Sequence, residues 1–234
     1  MAHVSGVLDQ MNNCILIPVH NEAAMIGNLV AQLKAQNLPV VVVDDGSLDE
    51  SGLIAQKNGA YVIRHESKKG KGQALQTGFA YLRQQNFDNV VIMDGDGQHA
   101  VEDLPKFFAS AQQFPNSIIA GSRMNNPKGM PWVRYWTNRF TSALISRVCQ
   151  QSIPDTQCGF RLISLAILRQ IQLTSSDYEI ESEILIKAAK KGFRIYSIPI
   201  KTIYRNEASK INPLLDTYRF FAYLIRELWT SKIR

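Results

Sequence analysis

Asp94 and Asp96 stand two apart directly after the apolar run Val90, Val91, Ile92 and Met93, in the stretch VVIMDGDGQH that ends at His99. On an extended chain, side chains two apart point the same way, so both carboxylates can face one target. Together with the nearby amide oxygen of Gln98 they form a hard donor set that suits Mg2+ or Mn2+. Mg2+ is usually held by one or two carboxylates plus substrate phosphates, so the pattern points to a metal-diphosphate site. Gly95 and Gly97 let a ligand approach the backbone closely. A polar turn after a core strand would use the same residues, and the rest of the chain has to decide between the two.

The run Val90 to Met93 reads as a strand buried on both faces. Further strand candidates are Cys14 to Val19, Val40 to Val43, Tyr61 to Arg64 and Ser117 to Gly121. Polar residues follow them: His20, Asn21 and Glu22 after the first, Asp44, Asp45, Gly46 and Ser47 after the second, Ser122 and Arg123 after the last. Between them lie helical patterns, one with Met25, Ile26, Leu29, Val30 and Leu33 inward and another with Ala74, Leu75, Phe79 and Leu82 inward. Ser47 and Glu50 have the spacing of a capping box for a helix through Leu53 and Ile54. Five strands alternating with helices predict an α/β fold with a doubly wound, mostly parallel sheet. Polar strand C-termini are where such open sheets bind ligands. The first strand-to-helix turn is no dinucleotide fingerprint, since Pro18, His20 and Glu22 stand where glycines would be needed. The basic, glycine-flanked loop Lys68 to Gly72 precedes a helix and would suit a phosphate neighbour or simply stay solvated.

The second half changes character. Pro131 to Gln150 reads as a helix carrying Trp132, Tyr135, Trp136 and Phe140 beside Arg134 and Arg139. Asp155 to Ser164 reads DTQCGFRLIS. Asp177 to Gly192 is an amphipathic helix opening with Tyr178, Glu179, Glu181 and Glu183, and Phe193 to Ile200 is strand-like. A last amphipathic helix is expected over 211–234, with Leu214, Tyr218, Phe221, Ile225 and Leu228 on one stripe. The expected organisation is a single domain over 1–210 followed by that C-terminal helix, which has the apolar stripe and basic excess of a membrane-facing segment.

Of 234 residues, 45% are hydrophobic and 20% charged, as in an ordinary globular protein. The net charge is +6, and 201–234 carries seven Lys or Arg against three acids. So local an excess argues for a phosphate or a membrane surface, not for nucleic acid. Three cysteines at unrelated spacings argue against a disulfide framework or a zinc site. Neither a signal-peptide pattern nor a run of about 18 apolar residues is present. The expected location is cytoplasmic and peripheral at the inner face of the membrane.

Taken together, IPVHNEA, VVVVDDGSLDES, KGKGQAL, DGDGQH, AGSR, DTQCGFRL, YEIESEI and IPIKTIYR with a following SK, in this order, resemble the family 2 glycosyltransferases of the GT-A fold over nearly the whole chain. Within them the chain looks most like the dolichyl- and polyprenyl-phosphate sugar synthases. The resemblance implies that Pro18, His20 and Glu22 line the nucleotide and that Val43 and Asp45 contact its base and ribose. It implies that Met93, Asp94, Gly95 and Asp96 hold ribose and diphosphate, with Asp94, Asp96 and Gln98 around Mg2+ or Mn2+. Arg123, Arg205 and Lys210 would contact phosphates, and Asp96, Arg123 and Arg205 would carry catalysis. Two departures stand out. His20 occupies the place where mannose synthases usually have Tyr, and the Arg205 to Lys210 spacing is one residue shorter than theirs. Many bacterial relatives also carry C-terminal membrane spans, for which this chain has no candidate.

The implied reaction is a metal-dependent, inverting transfer of a sugar from a UDP- or GDP-sugar to a polyprenyl phosphate. Two readings compete with it: the same fold acting on a hydroxyl acceptor, and an inactive nucleotide-sugar-binding scaffold that supports a membrane partner. Chemistry separates the acceptors. A hydroxyl must lose a proton as it attacks and needs a positioned carboxylate. A phosphate monoester, with a second pKa of about 6, needs cations instead. Arg123, Arg134, Arg139, Arg161, Arg205 and Lys210 supply those cations, whereas Asp155, Glu181 and Glu183 are the acids available to orient them or to act as base.

Overall fold

Each apolar run read as a strand forms one in the computed structural model, which describes residues 11–125, 127, 129–201 and 223. In chain order the elements are β1 (Asn13–Val19), α1 (Ala23–Ala35), β2 (Val40–Asp44), α2 (Ser51–Lys57), β3 (Tyr61–Arg64), α3 (Lys71–Leu82) and β4 (Asn89–Ile92). A short 3-10 turn at Val101–Asp103 leads into α4 (Leu104–Gln113), then β5 (Ile118–Ser122), α5 (Trp132–Cys149), β6 (Arg161–Ser164), α6 (Leu165–Leu168), α7 (Ile180–Lys190) and β7 (Ile195–Pro199). The α/β fold, a mostly parallel, doubly wound sheet, is the one expected.

The sheet runs β3-β2-β1-β4-β6-β5-β7. All pairs are parallel except those of β6, which runs antiparallel to both β4 and β5. The DTQCGFRLIS stretch therefore contributes a central strand. Arg161 starts it, paired with Ile92, and four residues led by an arginine do not look like a core strand in sequence. Its reversed direction has a consequence for function. It brings the loop Asp155 to Phe160 to the edge of the sheet where β1, β2, β4 and β5 end, and so beside Asp94.

Alternation along the strands divides the core. On β1, Cys14 and Leu16 face the layer beneath α3, α5 and α7, together with Phe79, Ile145 and Leu185. Ile15, Ile17 and Val19 face the layer beneath α1 and α4, together with Ile26, Leu33 and Phe107. Ile26, Leu29, Val30 and Leu33 are the buried face of α1, and Ala74, Leu75, Phe79 and Leu82 lie on that of α3, as their periodicity implied.

The capping box is not formed. The helix starts at Ser51, and its N-cap Glu50 makes no side-chain cap bond. Ser47 instead accepts from Asn21 N at 3.0 Å, Ser51 Oγ accepts from Glu22 N at 2.8 Å, and Asp49 accepts from Ala23 N at 3.1 Å. Backbone donors of the β1–α1 turn outcompete the helix terminus, which ties the ends of β1 and β2 together. Cys14, Cys149 and Cys158 are buried and unlinked, and burial pushes each thiol up to about 12. Among the described residues no helix is long and apolar enough to cross a membrane. The C-terminal helix expected over 211–234 lies outside the described residues apart from Tyr223, which is helical and buried in the α3-side layer.

Candidate active site

Asp94 follows β4 into the cleft, and a lysine meets it there. Lys71, the first residue of α3, places Nζ 2.6 Å from Asp94 Oδ1 and 2.6 Å from Glu181 Oε1 on α7. Glu181 in turn lies 3.6 Å from buried Arg161. Gly159 closes the other side: a Cβ there would stand 2.7 Å from Asp94 Oδ2 and 3.2 Å from Glu181 Oε1, so a side chain would push the Asp94 carboxylate aside. Burial would raise the Asp94 carboxyl, but Lys71 outweighs it and holds the group down at about 2. His99, stacked on Phe160 at 4.9 Å, accepts from Asp94 N through Nδ1 at 3.2 Å and keeps Nε2 3.8 Å from Asp94 Oδ2. Its burial lowers its pKa.

Asp96 accepts from Gln98 N at 2.9 Å through Oδ1, which folds DGDGQ into a tight turn. Burial and then the neighbouring Asp94 raise its pKa. Among the described residues only Asp94 of the two adjacent carboxylates is matched by a lysine, which leaves an anionic locus suited to a hard divalent cation. Among the described residues no group of three His, Cys, Asp or Glu is assembled to hold a metal. The arrangement therefore fits an ion that completes its shell with substrate phosphates and water, as Mg2+ commonly does. Gln98 contributes its backbone N–H to the turn.

Two strands away, Asp45 follows β2. Its Oδ1 accepts from Lys69 N at 2.8 Å and lies 2.7 Å from His65 Nδ1, and its Oδ2 accepts from Gly70 N at 2.8 Å. His65 Nε2 meets Thr77 Oγ1 on α3 at 2.9 Å. Asp45 thus pins the basic loop in the shape that presents Lys71. Gly70 makes this possible, with φ +102 and no room for a Cβ, which would lie 2.5 Å from Ser176 O. His20 Nδ1 lies 2.9 Å from Asp45 O. Pro18 and Glu22 sit half-buried along the same edge. Val43 and Met93 are fully buried in the core, so a donor could meet them only through backbone.

Arg123, after β5, forms a bidentate fork with buried Asp155, Nε to Oδ2 at 2.8 Å and Nη2 to Oδ1 at 2.9 Å. Asn138 on α5 donates to the same carboxylate at 2.8 Å, as does Arg123 N at 3.1 Å. Arg161 does not join the acceptor cations. It is 1% exposed and donates to the carbonyls of Cys158, Thr156 and Glu181, since a central strand leaves its guanidinium no route to solvent. Glu183 is also internal, accepting from Thr174 N, Ser175 N and Lys187 Nζ. Arg134 and Arg139 are exposed on α5. Arg205 and Lys210 lie outside the described residues.

Sequence reasoning left Lys71 as one lysine of a loop and did not single out His99, His65, Asn138 or Gly159. Only the glycine-flanked KGKG hinted at Lys71. Each of the others acts through contacts between residues far apart in the chain.

Burial pushes the Asp155 and Glu183 carboxyls up, but Arg123 for the first and Lys187 with Ser175 for the second outweigh it, so both are lowered. Their stabilisation is therefore complete above the unfolded carboxyl values, about 3.9 and 4.3, and is lost as pH falls through the lowered folded values. Calorimetry is expected to show Tm dropping steeply below about pH 4. In Glu183→Gln, Tm at pH 7 should be lower and the acid-induced drop smaller; an unchanged profile would contradict the clamp assigned to Glu183.

The family model described as Glycosyl transferase family 2 matches residues 14–172. A UDP-N-acetylglucosamine–dolichyl-phosphate N-acetylglucosaminyltransferase of Methanococcus voltae is 33% identical over 213 residues, spanning 81% of this chain and 85% of that protein. A polyprenol monophosphomannose synthase of Mycolicibacterium smegmatis is 26% identical over 200 residues, spanning 80% of this chain and 75% of the other. Among solved structures, glucosyl-3-phosphoglycerate synthase from Mycobacterium tuberculosis, in complex with Mn2+, uridine-diphosphate and glucosyl-3-phosphoglycerate, has a TM-score of 0.72 at 18% identity, covering 93% of this chain and 80% of that one. At that identity the likeness speaks for the GT-A fold.

Proposed function

The chain belongs to glycosyl transferase family 2, and we propose that it moves a sugar from a nucleotide-sugar to a polyprenyl phosphate, with a divalent metal and with inversion at the anomeric carbon. The observation that carries this reading is what the acids on the acceptor side are doing. Asp155 is locked to Arg123, Glu181 to Lys71, and Glu183 to the 174–175 backbone and Lys187. None of the three acids singled out there is placed as a general base, which a hydroxyl acceptor would require. A phosphate oxygen, already ionised, can form its bond to the anomeric carbon while the bond to the donor diphosphate breaks and the nucleoside diphosphate leaves with the electron pair. The relatives named for dolichyl-phosphate and for polyprenol monophosphomannose support the same acceptor class.

In this reading Asp94, Asp96 and Gln98 hold Mg2+ or Mn2+, and the ion when bound neutralises charge on the leaving diphosphate. Lys71 keeps Asp94 ionised and oriented at the same place. Pro18, His20, Glu22, Val43, Asp45, Met93 and Gly95 line the donor, and Arg123, held by Asp155, receives phosphate with Arg205 and Lys210. We place the catalytic domain at 1–210 and an amphipathic, membrane-facing helix at 211–234. The decisive experiment incubates purified protein and Mn2+ with nucleotide-sugars and short polyprenyl phosphates. The expected products are glycosyl phospholipid and nucleoside diphosphate. Efficient transfer to a free alcohol with no use of polyprenyl phosphate would overturn the reading.

The surface of α5 supports a peripheral location at the inner face of the membrane. Trp132, Val133, Trp136 and Phe140 are 75%, 78%, 52% and 58% exposed on one helix, and Arg139 stacks over Tyr135 and Trp136. Aromatic and cationic side chains together suit a lipid headgroup boundary. Replacing Trp132, Trp136 and Phe140 by Ser is expected to lower co-sedimentation with anionic vesicles severalfold without changing Tm. Unchanged co-sedimentation would assign these aromatics another role.

A further inference from the structure

Lys71 brings a positive charge to the same carboxylate that the divalent ion of the transferase reading would use. Its Nζ lies 2.6 Å from Asp94 Oδ1. Mg2+ sits about 2.0–2.1 Å from its oxygen ligands, so an ion on Oδ1 would stand within about 4.7 Å of Nζ. The Lys71 and Asp94 side chains are 16% and 27% exposed, so water screens that repulsion only in part. Oδ2 is flanked on its other sides. A Cβ on Gly159 would stand 2.7 Å from it, and His99 Nε2 lies 3.8 Å away.

Lys71 also has a second seat. Nζ lies 2.6 Å from Glu181 Oε1 and 5.7 Å from the centre of the Tyr178 ring. Arg161 stands 3.6 Å from Glu181 Oε2. An ammonium that leaves Asp94 therefore keeps a carboxylate and an aromatic face beside it. Its backbone is fixed meanwhile. Asp45 takes the N–H groups of Lys69 and Gly70, and Gln73 N donates to Ser176 O at 3.0 Å. A Cβ on Gly72 would stand 2.5 Å from Ser175 O. The root of the Lys71 side chain is held, while its tip has two carboxylates to choose between.

We propose that Lys71 competes with the divalent ion for Asp94: it balances the carboxylate when no donor is bound, and yields it, remaining on Glu181, when ion and diphosphate arrive together. The protein alone then holds the ion weakly, and the donor phosphates have to complete the shell. The proposal rests on the metal-dependent reading above. It makes Lys71 a positioning residue that sets the order of binding.

The test is equilibrium dialysis of the full chain against Mn2+ without nucleotide. Lys71→Met is expected to bind Mn2+ at least about tenfold more tightly than the parent chain. Damage to the site would weaken binding, so a purely structural role does not mimic a gain. Lys69→Met removes an exposed lysine of the same loop and should leave the affinity within about twofold. Adding Asp94→Asn to Lys71→Met should abolish the gain. Lys71→Met no tighter than the parent, Lys69→Met equal to it in effect, or a gain that survives Asp94→Asn overturns the proposal and leaves the transferase reading standing. If the parent retains no Mn2+ even with UDP or GDP added, the metal-dependent reading fails with it. Should Lys71→Met not fold, as judged by its melting profile, the parent chain decides. Mn2+ held at least about tenfold more tightly with UDP or GDP than without supports the proposal; equal retention overturns it.

Discussion

Asp96→Asn is expected to lower turnover by at least about 100-fold, the scale of losing one key electrostatic stabiliser, while leaving the fold intact. The two carboxylates of the turn are not equivalent. Asp94 already has a cation, with Lys71 Nζ at 2.6 Å. Among the described residues Asp96 accepts only the Gln98 N–H, on Oδ1 at 2.9 Å, and burial with the charge of Asp94 raises its pKa. Its charge is the one that a divalent ion would balance. Asparagine keeps an oxygen for the Gln98 N–H, so the turn and Tm should survive, while the charge does not. Since the raised group must be ionised to hold a cation, metal-dependent turnover should fall on acidification through the Asp96 value, with Asp94 still ionised. Rates at saturating Mn2+, with melting as the folding control, measure this. Full turnover in excess EDTA, or an Asn variant as fast as the parent, would remove the metal from the mechanism.

Arg123→Ala is expected to cost at least about 100-fold in kcat/KM for the phosphate acceptor, since a bidentate cation on a phosphate is among the stronger polar contacts available. Asp155 occupies Nε and Nη2 of the guanidinium, which leaves the Nη1 edge outside the fork to meet a phosphate. Asp155→Asn loosens the fork without removing the cation, so its loss should be smaller and should appear mainly in KM for the acceptor. Glu183→Gln should keep measurable turnover at reduced stability, because Glu183 clamps the 174–175 backbone. The three variants together separate the acceptor classes. If Arg123→Ala is harmless to polyprenyl phosphate use while Asp155→Asn or Glu183→Gln alone abolishes transfer, a carboxylate base is at work and the acceptor is a hydroxyl.

Local sequence was enough for every described strand of the sheet but β6, and it named the strand ends where a site was expected. Runs such as Val40 to Val43 and Val90 to Met93 read as strands buried on both faces, and a carboxylate directly after such a strand is expected at the ligand-binding edge. The acidic ends of β2 and β4 were legible for that reason, as was Arg123 after β5. Strand β6 was not, because its burial depends on both neighbours and on an Arg161 whose charge is absorbed by carbonyls that only the fold supplies. Roles were harder to read than places. Asp45 and Asp94 look alike in sequence, each an acid followed by glycine. In the fold Asp45 is bound by a loop more than twenty residues on, and Asp94 is met by the lysine that the same loop delivers. Whether Asp155, Glu181 and Glu183 were bases or partners could not be settled from the chain, since a carboxylate's chemistry depends on which donors surround it. Those donors, Arg123, Lys71 and the 174–175 backbone, come from other elements of the structure. The sequence determined which strand ends would carry charge; the tertiary contacts decided which of those charges remain available to a substrate.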